Sequence, residues 1–316
     1  MKHHRLAACF LLALLCCSLP RAFAAGVMPD QPILYVTQVP TPDNVNNIVS
    51  TFGNHEAKSA HAPRGGDLMI RYVDGTVKNL TAAAGYGKTG FQDSTSIAVR
   101  QPCVHWTGAK AVFSMVIGSP ASANDTTQYF WQLYEITGIG QGQTPVITKV
   151  PNQPSNCNSI SPIYGTDEHI IFICDRARNG AGHLYPQFDE YRLDPTNTGL
   201  WNLDPTSGSL FLMTHQPSGA FWPSIDSYGR VILTRWDHLE RDVTADADTV
   251  SQTGTIKGTF NFADESAAAA ILPRQEEAFP EPSPIRQDLV VGTNQIPMEF
   301  NQFFPCLLYT SDAADE

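Results

Sequence analysis

Charge is scarce in this chain, and basic charge most of all. Only 16% of its 316 residues are Asp, Glu, Lys or Arg, and the formal net charge is −11. A nucleic-acid binder needs a basic face to displace counterions from phosphates, so that class is excluded, and an anionic membrane surface is disfavoured by the same sign. Helical periodicity is also missing. The one helix-compatible run, "DESAAAAILPRQEEAF" (264–279), lies in a polar, proline-rich stretch. Motifs with a fixed chemical reading are absent as well. There is no Cys-x-x-Cys-His for attaching haem, no HExxH for zinc, no G-x-S-x-G elbow, no S-x-x-K and no G-x-x-x-x-G-K-[ST] P-loop. "GIGQGQ" (138–143) has glycines but no lysine or helix start after it, and reads as a turn. After the leader no apolar run is long enough to span a bilayer.

Present instead are 23 Gly and 23 Pro spread along the chain, the mark of many tight turns between short strands. Residues 1–24 have the build of a secretory signal: a basic "MKHHR", the apolar "LAACFLLALLCCSL", and Ala22-Phe23-Ala24 ahead of a cut before Ala25. The expectation is therefore a periplasmic or secreted protein. At the other end, residues 306–316, "CLLYTSDAADE", resemble sequencing-adapter read-through and are set apart as an artefactual tail. Of seven cysteines three lie in the leader and Cys306 in the tail, leaving Cys103, Cys157 and Cys174. Cys157 and Cys174 flank one strand. They read either as a pair closing a loop worth roughly 3 kcal/mol or, with Cys103, as small buried apolar residues.

The body repeats. "QPCVHWTGAKAVFSMV", "SPIYGTDEHIIFICDR" and "WPSIDSYGRVILTRWD" place prolines at Pro102, Pro162 and Pro223, with a weaker fourth copy at Pro284 in "SPIRQDLVVGTN". The spacings are 60, 61 and 61 residues. In each of the first three copies a proline opens a short strand, a turn follows, and an apolar run comes next. Between them stand "GGDLMIRYVDGTVKNLT", "YFWQLYEITGIGQGQTPVITKV" and "GLWNLDPTSGSLFLMT", each a strand, a glycine turn and a strand ending near Thr81, Thr148 or Thr214. Asp74-Gly75 and Ser207-Gly208 suit two-residue hairpins, which need positive φ. Two hairpins per period make four antiparallel strands, the unit of a β-propeller blade. The reading is an all-β propeller of four-stranded blades over residues 25–305, an incomplete ring with an insertion at about 242–283. The strand "ILYVTQV" near the N-terminus is a candidate to complete a last blade contributed by a missing C-terminus.

These residues carry a resemblance. The proline-turn-"IIFICDR" unit is similar to the WD-like propeller repeat of TolB-type proteins. "PILYVTQVP", "STFGNH", "APRGGDLMIRYVDGTVKNLT", "ITKVPNQP", "SPIYGTDEHIIF" and "ILTRWDHLERD" together resemble a family of exported bacterial proteins related to the middle domain of the hydrazine synthase alpha subunit. The resemblance implies a binding or scaffold propeller within a larger periplasmic protein, whose partners are another protein or the other domains of a longer chain. In that family haem c does redox chemistry elsewhere in the molecule. Without Cys-x-x-Cys-His, no cofactor is expected in this fragment, and haem c belongs only to a missing region. The alternative is a redox or hydrolytic enzyme with its site at the propeller mouth or in the missing C-terminal region.

Candidate site residues are few. Seven histidines follow the leader (His55, His61, His105, His169, His183, His215 and His238), none at metal spacing. A hydrogen-bonded structural role is expected for each. His238 in "RWDHLERD", with Asp237 and Arg235, is the candidate catalytic group, because neighbouring charges shift a histidine's pKa. Asp242, Asp246 and Asp248, in an acidic loop with Asp237 and Glu240, are the candidate metal ligands, though without the glycine and spacing of an EF-hand. The corner Asp175-Arg176 recurs loosely as Arg235 and Asp237, so it reads as a structural tie more than a catalytic pair. The tryptophans Trp106, Trp131, Trp201, Trp222 and Trp236 are expected to pack between blades.

Overall fold

The computed structural model describes residues 30–38, 64–87, 95–119, 127–176, 199–214, 219–239, 259–260, 271–272 and 300–308. Its elements are almost all strands, in antiparallel sheets. The first sheet holds β1 (Ile33–Val36), β2 (Leu68–Arg71) and β3 (Val77–Asn79). The second holds β4 (Ile97–Val104), β5 (Lys110–Ile117), β6 (Gln132–Thr137) and β7 (Val146–Lys149). The third holds β8 (Ser159–Tyr164), β9 (Ile170–Cys174), β10 (Gly199–Leu203) and β11 (Leu210–Leu212). The fourth joins β12 (Gly219–Ile225), β13 (Val231–Leu239) and β16 (Phe300–Leu308), and the short pair β14 (Thr259–Phe260) and β15 (Ile271–Leu272) lies in the expected insertion. One helical turn, α1 (Leu80–Ala83), follows β3, capped by the Asn79 side chain accepting from Ala82 N–H at 2.9 Å.

Within each of the two four-stranded sheets, chain order equals spatial order. The first strands of successive sheets lie side by side, β1 on β4, β4 on β8 and β8 on β12. The sheets therefore fan about a common edge, a propeller-like all-β fold; among the described residues no ring closes. β1 is paired to β2, Ile33 opposite Arg71, and so opens its own sheet instead of completing a final one. Residues 306–308, expected to lie outside the fold, continue β16, with Leu308 opposite Val231.

The apolar runs of β5 and β9 are explained by burial on both faces. Ala111, Phe113 and Met115 pack with Leu68, Ile70 and Tyr72 of the first sheet. Val112 and Leu133, from the opposite face, pack with Ile170, Phe172 and Cys174 of the third. Ile171 and Ile173, alternating with those, pack with Ala220, Val231 and Leu233 of the fourth. A strand's side chains alternate between faces, so each sheet divides its residues between two cores.

The recurrent prolines mark one backbone device. Each of β4, β8 and β12 breaks register against its partner, between Arg100 and Cys103, Ile160 and Ile163, and Phe221 and Ser224. The proline sits inside each bulge, where its missing N–H breaks no ladder bond. The residue before it is left-handed every time: Gln101 at φ 53°, Ser161 at 50° and Trp222 at 50°. The bulges also connect sheets, because Gln101 Oε1 accepts from the Ser161 N–H at 3.0 Å.

The threonines at the blade ends diverge. Thr81 and Thr214 hydroxyls accept from the N–H of Leu68 and Leu200, both at 3.2 Å. Thr148, expected to match them, is instead exposed in β7 opposite Glu135. In that sheet Gln153 takes the role, with Oε1 accepting from Leu133 N–H at 2.6 Å.

Gln101→Ala leaves the buried Ser161 N–H without its acceptor. It should lower unfolding free energy by about 1–3 kcal/mol in urea titration, with an unchanged m-value. A loss under about 0.3 kcal/mol, well below that range, would show that the bond between bulges does not hold the sheets together.

Candidate functional site

Two polar constellations form at opposite ends of the second and third sheets. The first sits at the turns that follow the bulged strands. These turns are equivalent: His105, Gly165 and Asp226 each accept from the N–H three residues on, at Gly108, Glu168 and Gly229. All three of those residues are left-handed, at φ 68°, 66° and 82°. Glu168 thus stands where its counterparts are glycine, in a conformation that costs an L-residue about 1–2 kcal/mol.

The Glu168 carboxylate reaches the preceding sheet, 3.0 and 3.1 Å from His105 Nε2. His105 is 5% exposed, and its Nδ1 accepts from the Thr107 N–H at 3.2 Å and meets the Thr107 hydroxyl at 2.8 Å. An acceptor at Nδ1 places the ring proton on Nε2, facing Glu168. Trp106 covers the ring at 4.1 Å and Tyr164 meets it edge-on at 4.7 Å. Beside them Tyr164 donates to Glu135 Oε2 at 2.9 Å, and Lys110 Nζ lies 3.0 Å from the same oxygen and 5.0 Å from the Tyr164 ring centre. Burial first, then the Glu135 charge and hydrogen bond, push the Tyr164 hydroxyl far above the usual tyrosine range. A histidine with both nitrogens engaged under a tryptophan lacks a free acceptor for a substrate proton. This cluster braces two sheets.

The second constellation answers what the Asp175-Arg176 corner does. The loop 152–158 between β7 and β8 folds back over the end of β9. Asn158 donates through its backbone N–H to Asp175 Oδ1 and through its side chain to Oδ2, both at 2.7 Å. Its own Oδ1 accepts from Trp131 N–H at 3.0 Å in the preceding sheet. Asp175 is therefore a tie, as its recurrence suggested. Gln132 Nε2 secures the same loop from below, within 2.9–3.1 Å of the Trp131, Pro154 and Cys157 carbonyls. The Arg176 guanidinium stacks over Trp201 at 5.3 Å.

Above this loop lies an open cleft of about 910 Å³ whose walls include Gln153, Asn156, Cys157, Asp175, Arg176 and Leu210. At its wall Cys157 Sγ and Cys174 Sγ are 3.4 Å apart, as free thiols. Together with an Asp175 oxygen they form a group of ligand-type atoms lying within 4.8 Å of one another. Burial, then the contact with Cys157, hold the Cys174 thiol well above its ordinary range.

The residues singled out in the sequence fall elsewhere. Arg235, Asp237 and His238 occupy β13 opposite Phe304, Gln302 and Asn301, and the side chains of Asp237 and His238 lie outside the described residues. Asp242, Asp246 and Asp248 lie outside the described residues, as do His55, His61, His183 and His215. His169 Nδ1 lies 2.9 Å from Asn202 Oδ1 and 3.1 Å from Asp167 Oδ2, a local tie of the expected kind. Trp131 and Trp201 are buried as expected, whereas Trp106 and Trp222 are 57% and 55% exposed.

No family model matches the sequence, and no curated protein matches it. Among solved structures it is similar to hydrazine synthase of Kuenenia stuttgartiensis, at 16% identity and a TM-score of 0.42, over 66% of this chain and 28% of that one. It is also similar to TolB from Acinetobacter baumannii, at 13% identity and a TM-score of 0.32, over 68% of this chain and 39% of that one. The chain spans less than half the length of either. Both likenesses are too remote to carry function across, and the fold rests on the sheets themselves.

One prediction follows from the bracing cluster and a second from Tyr134 of β6, in the core shared with the first sheet. Glu168→Gly and Glu168→Ala both lose the His105 contact, but only alanine keeps the left-handed penalty. Urea titration should therefore find the alanine variant about 1 kcal/mol less stable than the glycine variant. Equal stabilities would contradict the strain at this turn. Burial, and then Tyr86, push Tyr134 up to about 12. Because the folded value lies above the unfolded one, this stability is complete below the ordinary tyrosine range and is lost as pH rises toward 12. Absorbance titration should show the Tyr134 hydroxyl ionising together with unfolding, and ionisation at the ordinary value in the folded chain would overturn it.

Proposed function

We propose that this chain is an exported β-propeller binding or scaffold domain of a larger periplasmic protein, engaging its partner through the face that bears the Cys157–Arg176 cleft. The observation that carries this reading is the cleft itself. It is open, walled largely by polar side chains, and built by a loop that two glutamine and asparagine networks hold in place. Pre-set polar surfaces of this kind suit recognition, since less ordering entropy is lost on binding. In contrast, His105 and His169 are engaged in ties within the sheets.

Export is supported by the leader-like residues 1–24 and the small-x-small site before Ala25. The partner is another protein or the remaining domains of a longer chain. The acidic balance of the sequence and the shortage of basic residues favour a partner other than nucleic acid. Among the described residues no helix is long and apolar enough to cross a membrane.

The test is capture from a periplasmic extract with a photo-cross-linker at Ser155 on the cleft wall, together with an absorption spectrum of the purified chain. A defined cross-linked partner should appear, and Arg176→Glu, reversing the charge on the cleft wall, should reduce its capture at least about tenfold. Capture unaffected by Arg176→Glu, or a haem spectrum arising from this chain alone, would count against the proposal.

A further inference from the structure

We propose that Cys157, Cys174 and Asp175 bind a thiophilic divalent cation of the zinc class, with a coordination position left open toward the cleft. The inference does not depend on what partner the propeller face engages.

The three ligand atoms lie within 4.8 Å of one another, and the sulfurs are 3.4 Å apart. Two thiolates on one tetrahedral zinc stand about 3.8 Å apart, because each bond is about 2.3 Å long. A shift of a few tenths of an ångström therefore accommodates the ion. The arrangement follows from the fold. Cys174 ends β9 opposite Ser159, and Cys157 enters two residues ahead of Ser159, so strand pairing alone brings the thiols together. Asp175, next along the chain, adds the carboxylate.

The surroundings resemble the outer partners that orient metal ligands. The Arg176 N–H donates to Cys174 Sγ at 3.4 Å, and the Ser159 hydroxyl lies 3.9 Å from it. Asn158 donates to both carboxylate oxygens of Asp175 and so fixes the orientation of the carboxylate. Cys157 and Asp175 line the cleft, which supplies the path of entry. Two sulfur donors select a soft or borderline ion and disfavour calcium and magnesium.

Binding is not a redox step. Two metal–sulfur bonds form, two S–H bonds break, and about two protons per ion pass to solvent, so affinity rises with pH.

The full chain, reduced and stripped of metal, is titrated with Co²⁺. We expect a sulfur-to-cobalt charge-transfer band that saturates at one equivalent, disappears on adding Zn²⁺ and is accompanied by proton release. Cys157→Ala, at the cleft wall, should abolish the band, while Asp175→Asn should keep a band but weaken affinity by about tenfold or more. Near-ultraviolet circular dichroism checks that each variant is folded; should Asp175→Asn unfold, Cys157→Ala decides alone. Cys103→Ala and Cys306→Ala should bind as the parent does. The proposal is overturned if the reduced chain gives no charge-transfer band, if the band survives Cys157→Ala, or if it is lost in Cys103→Ala. It is also overturned if mass spectrometry finds a Cys157–Cys174 disulfide and the chain still fails to take up Co²⁺ after reduction.

Discussion

Burial on both faces is the constraint from which the rest of this molecule follows. In β5 the residues Ala111, Phe113 and Met115 belong to one core and Val112 to another. In β9 Phe172 and Cys174 face the second sheet, while Ile171 and Ile173 face the fourth. A fully buried side chain of this size contributes roughly 1.5–3 kcal/mol, and either sheet alone would expose one whole face of such residues to water. Neither sheet is a stable unit by itself. Lateral stacking about the edge of β1, β4, β8 and β12 satisfies both faces without mixing the sheets.

That edge is where backbone irregularity is concentrated. At each bulge a proline follows a left-handed residue, a conformation costing on the order of 1–3 kcal/mol. It is kept in three successive sheets because the surrounding ladders determine it and because it frees a polar group to reach across. Gln101 uses that freedom to meet Ser161. The bulged strands run between the two polar constellations. At one end the turns tie sheet to sheet through His105 and Glu168; at the other, the returning loop builds the cleft and sets Cys157 beside Cys174.

Much of this architecture was legible because repetition exposes itself. Prolines at 102, 162 and 223 predicted matching corners, and Gly75 and Gly208 adopt positive φ, 86° and 79°. Their loops, however, are longer than the two residues expected, running from Tyr72 to Thr76 and from Asp204 to Ser209. Roles that depend on contacts between sheets were not legible. His105 and Glu168 are 63 residues apart, and only the turn alignment shows that Glu168 replaces a glycine. Thr148 matches Thr81 and Thr214 in spacing, yet the capping bond passed to Gln153, since an amide farther along the chain reaches the same N–H. Trp106 and Trp222 have the composition of core residues but lie on a turn and at a bulge, where burial is incomplete. The cysteine pair could be suspected from sequence, although the two bracket a hairpin of two strands, β8 and β9, and not the one strand expected. Asp175 as their third companion could not, because its position depends on Asn158 turning the loop back over β9.

If two-faced burial governs the fold, damage to one sheet must be felt in the next. Amide hydrogen exchange measured on Phe172→Ala in β9 tests this most directly, because Phe172 is fully buried between the second and third sheets. The account predicts that the slowest amides of β5 lose protection by the same free energy as those of β9, about 3–5 kcal/mol for a truncated phenylalanine. Unchanged protection in β5 beside a loss confined to β9 would contradict it, showing that each sheet stands on its own.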